Sequence, residues 1–136
     1  MKKYTLLSIA FIAIASSCFK SNPPRMFSAP EALGQARNDF AVIIDIREGN
    51  EIEKIAEPAV WIPESKIIQN SDKWKKFLKN TSKNKTLIFY ANNSKQALKI
   101  CILAGKKGFN TGYIKNWSEW INEKLPVKTF KINGAR

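Results

Sequence analysis

The sequence predicts an α/β fold: a small domain with a central, mainly parallel sheet flanked by helices. Segments with strand character alternate along the chain with segments of helical periodicity, and this order is typical of parallel sheets. The clearest strand, residues 41–46, is a nearly continuous run of β-branched residues, as in strands buried on both faces. With 136 residues, 44% of them hydrophobic, the chain suffices for one modest core, so we expect a single domain.

The first half of the domain shows two helix starts and two strands. Ser28-Ala29-Pro30-Glu31 has the pattern of a capping box with proline in the first turn, and it predicts a helix through about Arg37. After the strand at 41–46, a second extended piece covers residues 59–62 and is halted by Pro63. Ser71-Asp72 is expected to cap another helix, which carries three apolar side chains on one side: Trp74, Phe77 and Leu78.

The second half of the domain continues the alternation. A strand from Thr86 to Tyr90 leads into a helix from about Ser94 to Gly105, and Gly108 is expected to stop that helical region. Another strand is predicted for residues 111–114. A closing helix follows from the three- and four-residue spacing of its apolar side chains: Trp117, Trp120, Ile121 and Leu125.

The first residues have the three-part pattern of a secretory signal peptide. Lys2 and Lys3 precede an uncharged run over residues 4–15, which is too short to span a bilayer. Ala15-Ser16-Ser17-Cys18 resembles a lipobox, the signal for attaching a diacylglycerol to a cysteine thiol, although Ala15 stands where leucine is commonest. A plain signal peptide with an incidental cysteine is the alternative. A lipid on Cys18 would tether the exported domain to a bacterial membrane.

These features divide the chain into four parts. We expect a lipoprotein signal peptide at residues 1–17, the lipidated cysteine and a linker at 18–25, the folded domain at 26–127 and a tail at 128–136. Phe19 stands in place of the aspartate that commonly signals inner-membrane retention, which favours an outer membrane where the cell has one.

The chain is strongly basic: 23 lysines and arginines against 11 acidic residues give a formal net charge of +12. At least one face should carry a positive field, which favours anionic lipid head groups or acidic envelope polymers as partners. A lysine-rich surface that only provides solubility is the alternative. No nucleic-acid-binding motif is present, and an exported protein rarely meets nucleic acid, so none is expected as a partner. The lysines concentrate in two groups: Lys73, Lys75, Lys76, Lys79, Lys83 and Lys85, and Lys106, Lys107, Lys124, Lys128 and Lys131.

The chain has two cysteines, Cys18 and Cys101. Lipidation of Cys18 leaves Cys101 without an intramolecular partner, so we expect no disulfide framework. Cys101 lies within the apolar helical stretch 97–104, and free cysteine is among the residue types most often buried. Because reactive thiols need an exposed, electropositive setting, we interpret Cys101 as an inert core residue.

Several motifs resemble, in order and spacing, those of the rhodanese-like family over about residues 26–125. Asp45-Ile46-Arg47-Glu48 is similar to the Asp-x-Arg-x at the end of the family's first core strand, and Trp61-Ile62-Pro63-Glu64-Ser65 to its His-Ile-Pro-Gly-Ala. Residues 87–97 match its strand, active-site loop and helix start. Gly105-Lys106-Lys107-Gly108-Phe109 matches the Leu-x-x-x-Gly-Phe element, and residues 113–120 the final strand and tryptophan-bearing helix. The resemblance implies a rhodanese-like domain.

In active members of this family, a cysteine opens a loop of the kind Cys-x-x-Gly-x-Arg and carries a persulfide that is handed to an acceptor. The matching residues here are Ala91, Asn92, Asn93, Ser94, Lys95 and Gln96. Alanine cannot form a thiolate, so the resemblance implies no catalytic residue at this position. Ser94 replaces the loop glycine, Gln96 replaces an arginine that helps bind the anionic substrate, and Trp61 replaces a common histidine. These changes around one pocket predict a protein that has lost sulfur transfer.

Two further residues of the resemblance fall at the carboxyl edge of the predicted sheet, where open α/β sheets place their ligands. Asp45 and Arg47 brace neighbouring loops in the family, and because no nucleophile adjoins them we interpret them as a salt-bridged clamp. The loop 92–95 either presents N–H groups and an ammonium to a sulfate, phosphate or carboxylate, or is an ordinary turn.

Metal and cofactor chemistry are not expected. The chain has no histidine and its two cysteines are far apart in sequence, so neither a metal-binding constellation nor a Ser-His-Asp triad can be assembled. No glycine-rich loop that would cradle a phosphate is visible.

Three classes of function remain open. We prefer a membrane-anchored, rhodanese-like pseudoenzyme that holds an anionic ligand or an envelope protein through the 91–96 loop, the basic face or both. The second is a sulfurtransferase that uses Cys101. The third is a basic structural lipoprotein that binds anionic lipids or wall polymers whatever the loop does.

Overall fold

A computed structural model describes residues 22–132 of the chain, and the predicted signal peptide and Cys18 lie outside the described residues. The elements are β1 (Arg25–Phe27), α1 (Ala29–Arg37), β2 (Ala41–Asp45), β3 (Lys54–Ala56), β4 (Val60–Trp61), α2 (Glu64–Ile68), α3 (Asp72–Asn80), β5 (Thr86–Tyr90), α4 (Ser94–Gly105), β6 (Thr111–Ile114), α5 (Trp117–Asn122) and β7 (Val127–Thr129), with a 3-10 turn at Gly49–Glu51. Within this part of the chain, no helix has the length and apolar character needed to cross a membrane.

A parallel sheet of five strands lies at the centre, in the order β1, β6, β5, β2, β4. Its register aligns Ile43 of β2 with Ile88 of β5, and Ile88 with Gly112 of β6. Strands β3 and β7 form a separate antiparallel pair. The α/β class with a parallel sheet and flanking helices, predicted from the sequence, is confirmed.

The two faces of the sheet belong to two apolar clusters. Ile44 and Phe89 pack with helix α4 on one face, whereas Ile43 and Ile88 pack with α1 and with Trp120 of α5 on the other. Successive side chains of a strand point to opposite faces, so a strand covered on both sides needs apolar residues in sequence. This explains the β-branched run that predicted β2.

Several predicted boundaries are correct. Strands β5 and β6 and helix α4 begin and end where the sequence placed them, and Gly108 after α4 has a φ of 92°, which favours glycine. Ser28 caps α1, since its hydroxyl accepts a hydrogen bond from the Glu31 N–H at 3.2 Å. The Glu31 carboxylate pairs with Arg25 instead of turning back to Ser28, so only half of the predicted capping box forms.

Other boundaries were wrong. Strand β2 ends at Asp45 and not at residue 46, and helix α5 ends at Asn122, before Leu125. Lys124 adopts a left-handed φ of 53°, which turns the chain away from the helix direction and back toward β7. Strands β1, β3 and β7 and helix α2 were not predicted. β1 includes Arg25, which the sequence interpretation gave to the linker, and β7 includes residues 128 and 129, given to the tail.

The apolar clusters and strand pairs of residues 22–132 lie well inside this range. Both apolar clusters lie between Phe27 and Val127, and every strand pair lies between Arg25 and Thr129. A fragment of residues 20–136, without the signal peptide, therefore keeps the whole core and sheet and is expected to fold by itself.

Candidate functional site

The carboxyl ends of β2 and β5 lie side by side, because Asp45 is aligned with Tyr90 in the parallel register. This edge brings together the two groups of residues singled out from the sequence: Asp45 and Arg47 after β2, and the loop 91–96 after β5. Ligands of open α/β sheets bind at such an edge.

Ala91 is the first residue after β5, and it is 2% exposed. Its methyl group belongs to the apolar cluster that includes the buried face of α4, and its carbonyl accepts a hydrogen bond from the Trp117 N–H at 2.9 Å. Ala91 is thus held firmly in place, but its methyl group has no ionisable proton and no lone pair, so it can act neither as an acid nor as a nucleophile.

The loop after Ala91 caps its own helix. The side-chain oxygen of Asn93 accepts a hydrogen bond from the Gln96 N–H at 3.0 Å and forms the N-cap of α4. Asn92, Asn93 and Lys95 are exposed, whereas Ser94 and Gln96 are half-buried. Because Asn93 occupies the Gln96 N–H, an anion at the helix start would have to displace an internal bond to use that donor.

Asp45 and Arg47 form a buried, two-point ion pair. Arg47 Nε lies 3.1 Å from Oδ1 of Asp45, and Nη2 lies 2.7 Å from Oδ2. The Asp45 side chain is fully buried and the Arg47 side chain is 8% exposed. Arg47 Nη2 also donates to the Lys54 carbonyl at 2.8 Å, so the pair joins the end of β2 to strand β3.

Two aromatic rings stack beside this ion pair. The ring centroids of Tyr90 and Trp117 are 5.5 Å apart, and the Arg47 guanidinium carbon lies 4.2 Å from the Trp117 centroid. The Tyr90 hydroxyl accepts a hydrogen bond from the Ala56 N–H at 3.0 Å. Burial, together with the negative charge of Asp45, raises the pKa of Tyr90, which therefore stays protonated.

A cavity of about 290 Å³ opens beside the first turn of α4. Most of its lining is polar, and it consists of Ile46, Arg47, Glu48, Asn50, Ile52, Glu64, Asn92 and Gln96. Both carboxylates have partners. Glu48 accepts hydrogen bonds from the Ser65 N–H at 3.0 Å and from its hydroxyl at 3.2 Å, and Glu64 lies 3.3 Å from Nζ of Lys99.

Trp61 lies beside the backbone of Arg47. Its indole Nε1 donates to the Arg47 carbonyl at 2.8 Å, and its ring meets Phe130 edge-on at a centroid distance of 4.7 Å. A Cβ on Gly49 would come within 2.8 Å of the Trp61 ring, so the close approach of this turn to the indole requires glycine.

Solved structures share this arrangement of strands and helices. A rhodanese-related protein from Thermoplasma volcanium has a TM-score of 0.62 at 19% identity, over 76% of this chain and 97% of that one. A Bacillus halodurans protein has a TM-score of 0.62 at 20% identity, over 76% of each chain. A thiosulfate sulfurtransferase from Pseudomonas aeruginosa has a TM-score of 0.60 at 12% identity, over 81% of this chain and 22% of that one. This chain has the rhodanese-like fold.

The likeness to these structures confirms the fold that the sequence motifs implied, and at such identities it carries no activity with it. No protein-family model and no curated protein matches the chain. The chemistry that this rhodanese-like domain can perform therefore depends on its own residues.

Cys101 lies inside the rhodanese-like domain, on the buried side of α4, as predicted. Its sulfur donates to the Gly112 carbonyl at an S···O distance of 3.2 Å. Burial raises the pKa of the Cys101 thiol to about 12. A thiol in this setting is neither ionised at neutral pH nor reachable by a sulfur donor.

Glu48 and Glu64 are the acidic residues that line the cavity, and the sequence interpretation gave them no role. Both stood inside quoted motifs, Glu48 directly after Arg47 and Glu64 directly after Pro63. One feature of the sequence could have identified them: each carboxylate follows closely after a predicted strand, and the two strands, β2 and β4, are neighbours in the sheet. Among residues 22–132, no three or more Cys, Asp or Glu side chains are grouped so as to hold a metal ion.

Proposed function

We propose that this chain is a non-catalytic binding module of the bacterial cell envelope, anchored by a lipid on Cys18 and built on a rhodanese-like domain. The observation that carries the proposal is Ala91, a buried methyl group where sulfur-transferring members of the resembled family carry their thiol. The Asp45–Arg47 pair and the cavity beside it remain well formed. A site that keeps its framework and lacks its nucleophile supports binding without turnover.

The charges around the cavity favour a ligand that donates hydrogen bonds. The Glu48 carboxylate accepts hydrogen bonds from Ser65 and the Glu64 carboxylate pairs with the exposed Lys99, whereas the Arg47 guanidinium is paired with the fully buried Asp45. Asn92 and Gln96 contribute amide groups to the cavity. A small anion such as thiosulfate would be placed near two carboxylates, of which only Glu64 is paired with an ammonium group, and like charges at short range repel each other. A guanidinium or ammonium group of an envelope protein is the ligand that we propose for this cavity.

Sulfur transfer through Cys101 gains no support from the geometry, because the thiol is enclosed between α4 and the sheet. A membrane-binding role for the basic surface is favoured by lysines that lie near the exposed ring of Phe40.

The proposal is tested first by thiosulfate-to-cyanide sulfur transfer. The fragment of residues 20–136 is assayed beside its Cys101→Ala and Ala91→Cys variants. We expect the unchanged fragment and Cys101→Ala to match a blank without protein. Turnover by the unchanged fragment that Cys101→Ala abolishes would overturn the proposal. Turnover gained only in Ala91→Cys would show that this one position blocks the chemistry.

Ligand class is tested by NMR titration of the same fragment. Arginine amide and sodium thiosulfate are compared at equal ionic strength. We expect arginine amide to shift the amide resonances of Asn92 and Gln96, and Glu64→Gln to weaken the effect. Glu123→Gln, which removes an exposed carboxylate just after the end of α5, is the matched control. Shifts caused by thiosulfate and not by arginine amide would assign the cavity to anions instead.

A further inference from the structure

The edge of the sheet opposite the cavity brings together residues that are far apart in sequence. Strands β2, β5 and β6 begin at this amino-terminal edge, directly after helices α1, α3 and α4 have ended. The Thr86 N–H donates to the Phe40 carbonyl at 3.0 Å, and the Leu87 N–H donates to the Asn110 carbonyl at 2.9 Å. The segments that precede the three strands therefore lie in a row.

This row carries a cluster that we call the amino-edge face, formed by Phe40, Lys83, Lys85, Lys106 and Lys107. Lys83 Nζ lies 6.0 Å from the ring centroid of Phe109, which follows Lys106 and Lys107 closely in the chain. Lys85 is paired with Asp39 at 2.6 Å. Four ammonium groups against one neighbouring carboxylate, that of Asp39, leave the face with a net positive charge.

Phe40 distinguishes this face from an ordinary basic surface. The helix dipole favours lysines near the carboxyl end of a helix. The lysines that follow α3 and α4 could therefore occur there even if the face bound no partner. Phe40 is 61% exposed, so its ring gains little from the packing of the folded domain. An exposed aromatic ring among lysines is typical of proteins that bind the interface of an anionic bilayer.

The chain also enters the domain at this edge. Asn22 Nδ2 donates to the Asn110 side-chain oxygen at 3.2 Å. Cys18 stands only four residues before Asn22, and four fully extended residues reach at most about 14 Å. A lipid on Cys18 would therefore hold the amino-edge face close to the bilayer, with the cavity at the far edge of the sheet.

We propose that the amino-edge face docks on an anionic phospholipid bilayer, with its lysines at the lipid phosphates and the Phe40 ring in the interface. Docking in this orientation turns the cavity of the proposed binding module away from the membrane, toward partners in the envelope. The face itself is independent of the cavity, so the two proposals can fail separately.

The test is cosedimentation of residues 20–136, which lack Cys18, with vesicles. Vesicles of phosphatidylglycerol and phosphatidylcholine are compared with vesicles of phosphatidylcholine alone. A lysine near an anionic surface strengthens partitioning about 5-fold, so Lys106→Gln/Lys107→Gln is expected to weaken binding about 25-fold. Loss of the inserted ring in Phe40→Ser should weaken it about 10-fold.

The matched control is Lys95→Gln/Lys115→Gln, which removes the same charge from exposed positions at the cavity edge. This variant should bind the mixed vesicles nearly as well as the unchanged fragment, and circular dichroism should show all variants folded. Equal binding to both kinds of vesicle, or an equal loss in the control, would overturn the proposal. Displacement by soluble polyglutamate, with no effect of Phe40→Ser, would also overturn it and assign the face to acidic polymers.

Discussion

Among single residues, Asp45 and Arg47 do most to hold the site in its observed geometry. The carboxylate has no exposure to water, and the guanidinium meets it at two points while also reaching strand β3. A buried charge without its partner is far more costly than an exposed one, since nothing replaces the lost hydration. The resemblance to the rhodanese-like family implied such a clamp, and the position of both residues at the end of one strand placed it at the carboxyl edge of the sheet.

Arg47→Met is therefore expected to lower the free energy of unfolding by about 3–5 kcal/mol, because it leaves the Asp45 carboxylate buried and unpaired. Asp45→Asn/Arg47→Met removes both charges and should recover part of that loss. Urea unfolding of residues 20–136 measures both, with the exposed Arg37→Met as control. A change for Arg47→Met no larger than that for Arg37→Met would show that the pair is not a structural clamp.

The buried thiol of Cys101 is expected to lower the free energy of unfolding as the pH becomes alkaline. Its thiol pKa is raised by burial from 9.0 to about 12. The unfolded chain loses this proton above about pH 9 while the folded chain retains it, so the thiol's contribution to stability is complete below pH 9 and is lost as the pH rises toward 12. The slope from one such group is about 1.4 kcal/mol per pH unit at most.

Cys101→Ala is expected to flatten this alkaline decline, although it lowers stability at neutral pH by removing a buried sulfur. Urea unfolding of the variant and of the unchanged fragment, compared over a pH series, measures the difference in slope. Parallel declines in the two proteins would mean that the thiol ionises in the folded state as readily as in the unfolded chain.

Among the elements, helix α4 connects the loop of the site to the core. Asn93 begins the helix with a side-chain hydrogen bond, and the neighbouring Asn92 is exposed and lines the cavity. The two asparagines are neighbours in the same loop, but only Asn93 caps the helix.

Asn93→Ala should lower the free energy of unfolding by about 1 kcal/mol, the usual cost of losing an N-cap. Asn92→Ala, the matched control, should leave stability nearly unchanged. Thermal or urea unfolding distinguishes them. If both substitutions cost the same, the cap does not stabilise α4, and the Gln96 N–H would be available to an anion after all.

The success of the sequence prediction also varied by element. β5 and α4 have long, unbroken patterns and clear boundary residues, so their limits and the position of Ala91 between them followed from the sequence. Strands β1, β3 and β7 have three residues each, too few for a periodic signal. They exist because partners distant in sequence pair with them, as β7 does with β3. The cavity lined by Glu48 and Glu64 was not predicted, because the two residues follow different strands, which come together only in the folded protein.

At the scale of the whole molecule, the two edges of the sheet have different chemistry. The carboxyl edge holds a polar cavity with two carboxylates, and the amino edge holds lysines, Phe40 and the entry of the chain. The chain carries a net charge of +12, and the topology of parallel strands separates the two edges by the full length of the sheet.

We expect that no group of the folded domain can carry a transferable sulfur atom. Intact-mass spectrometry of residues 20–136 after incubation with thiosulfate, and separately with a small organic persulfide, tests this most directly. Cys101 is the single cysteine of that fragment. We predict no added mass on the folded protein and added sulfur only once urea exposes the thiol. Addition of one sulfur atom to the folded fragment, abolished by Cys101→Ala, would contradict the account.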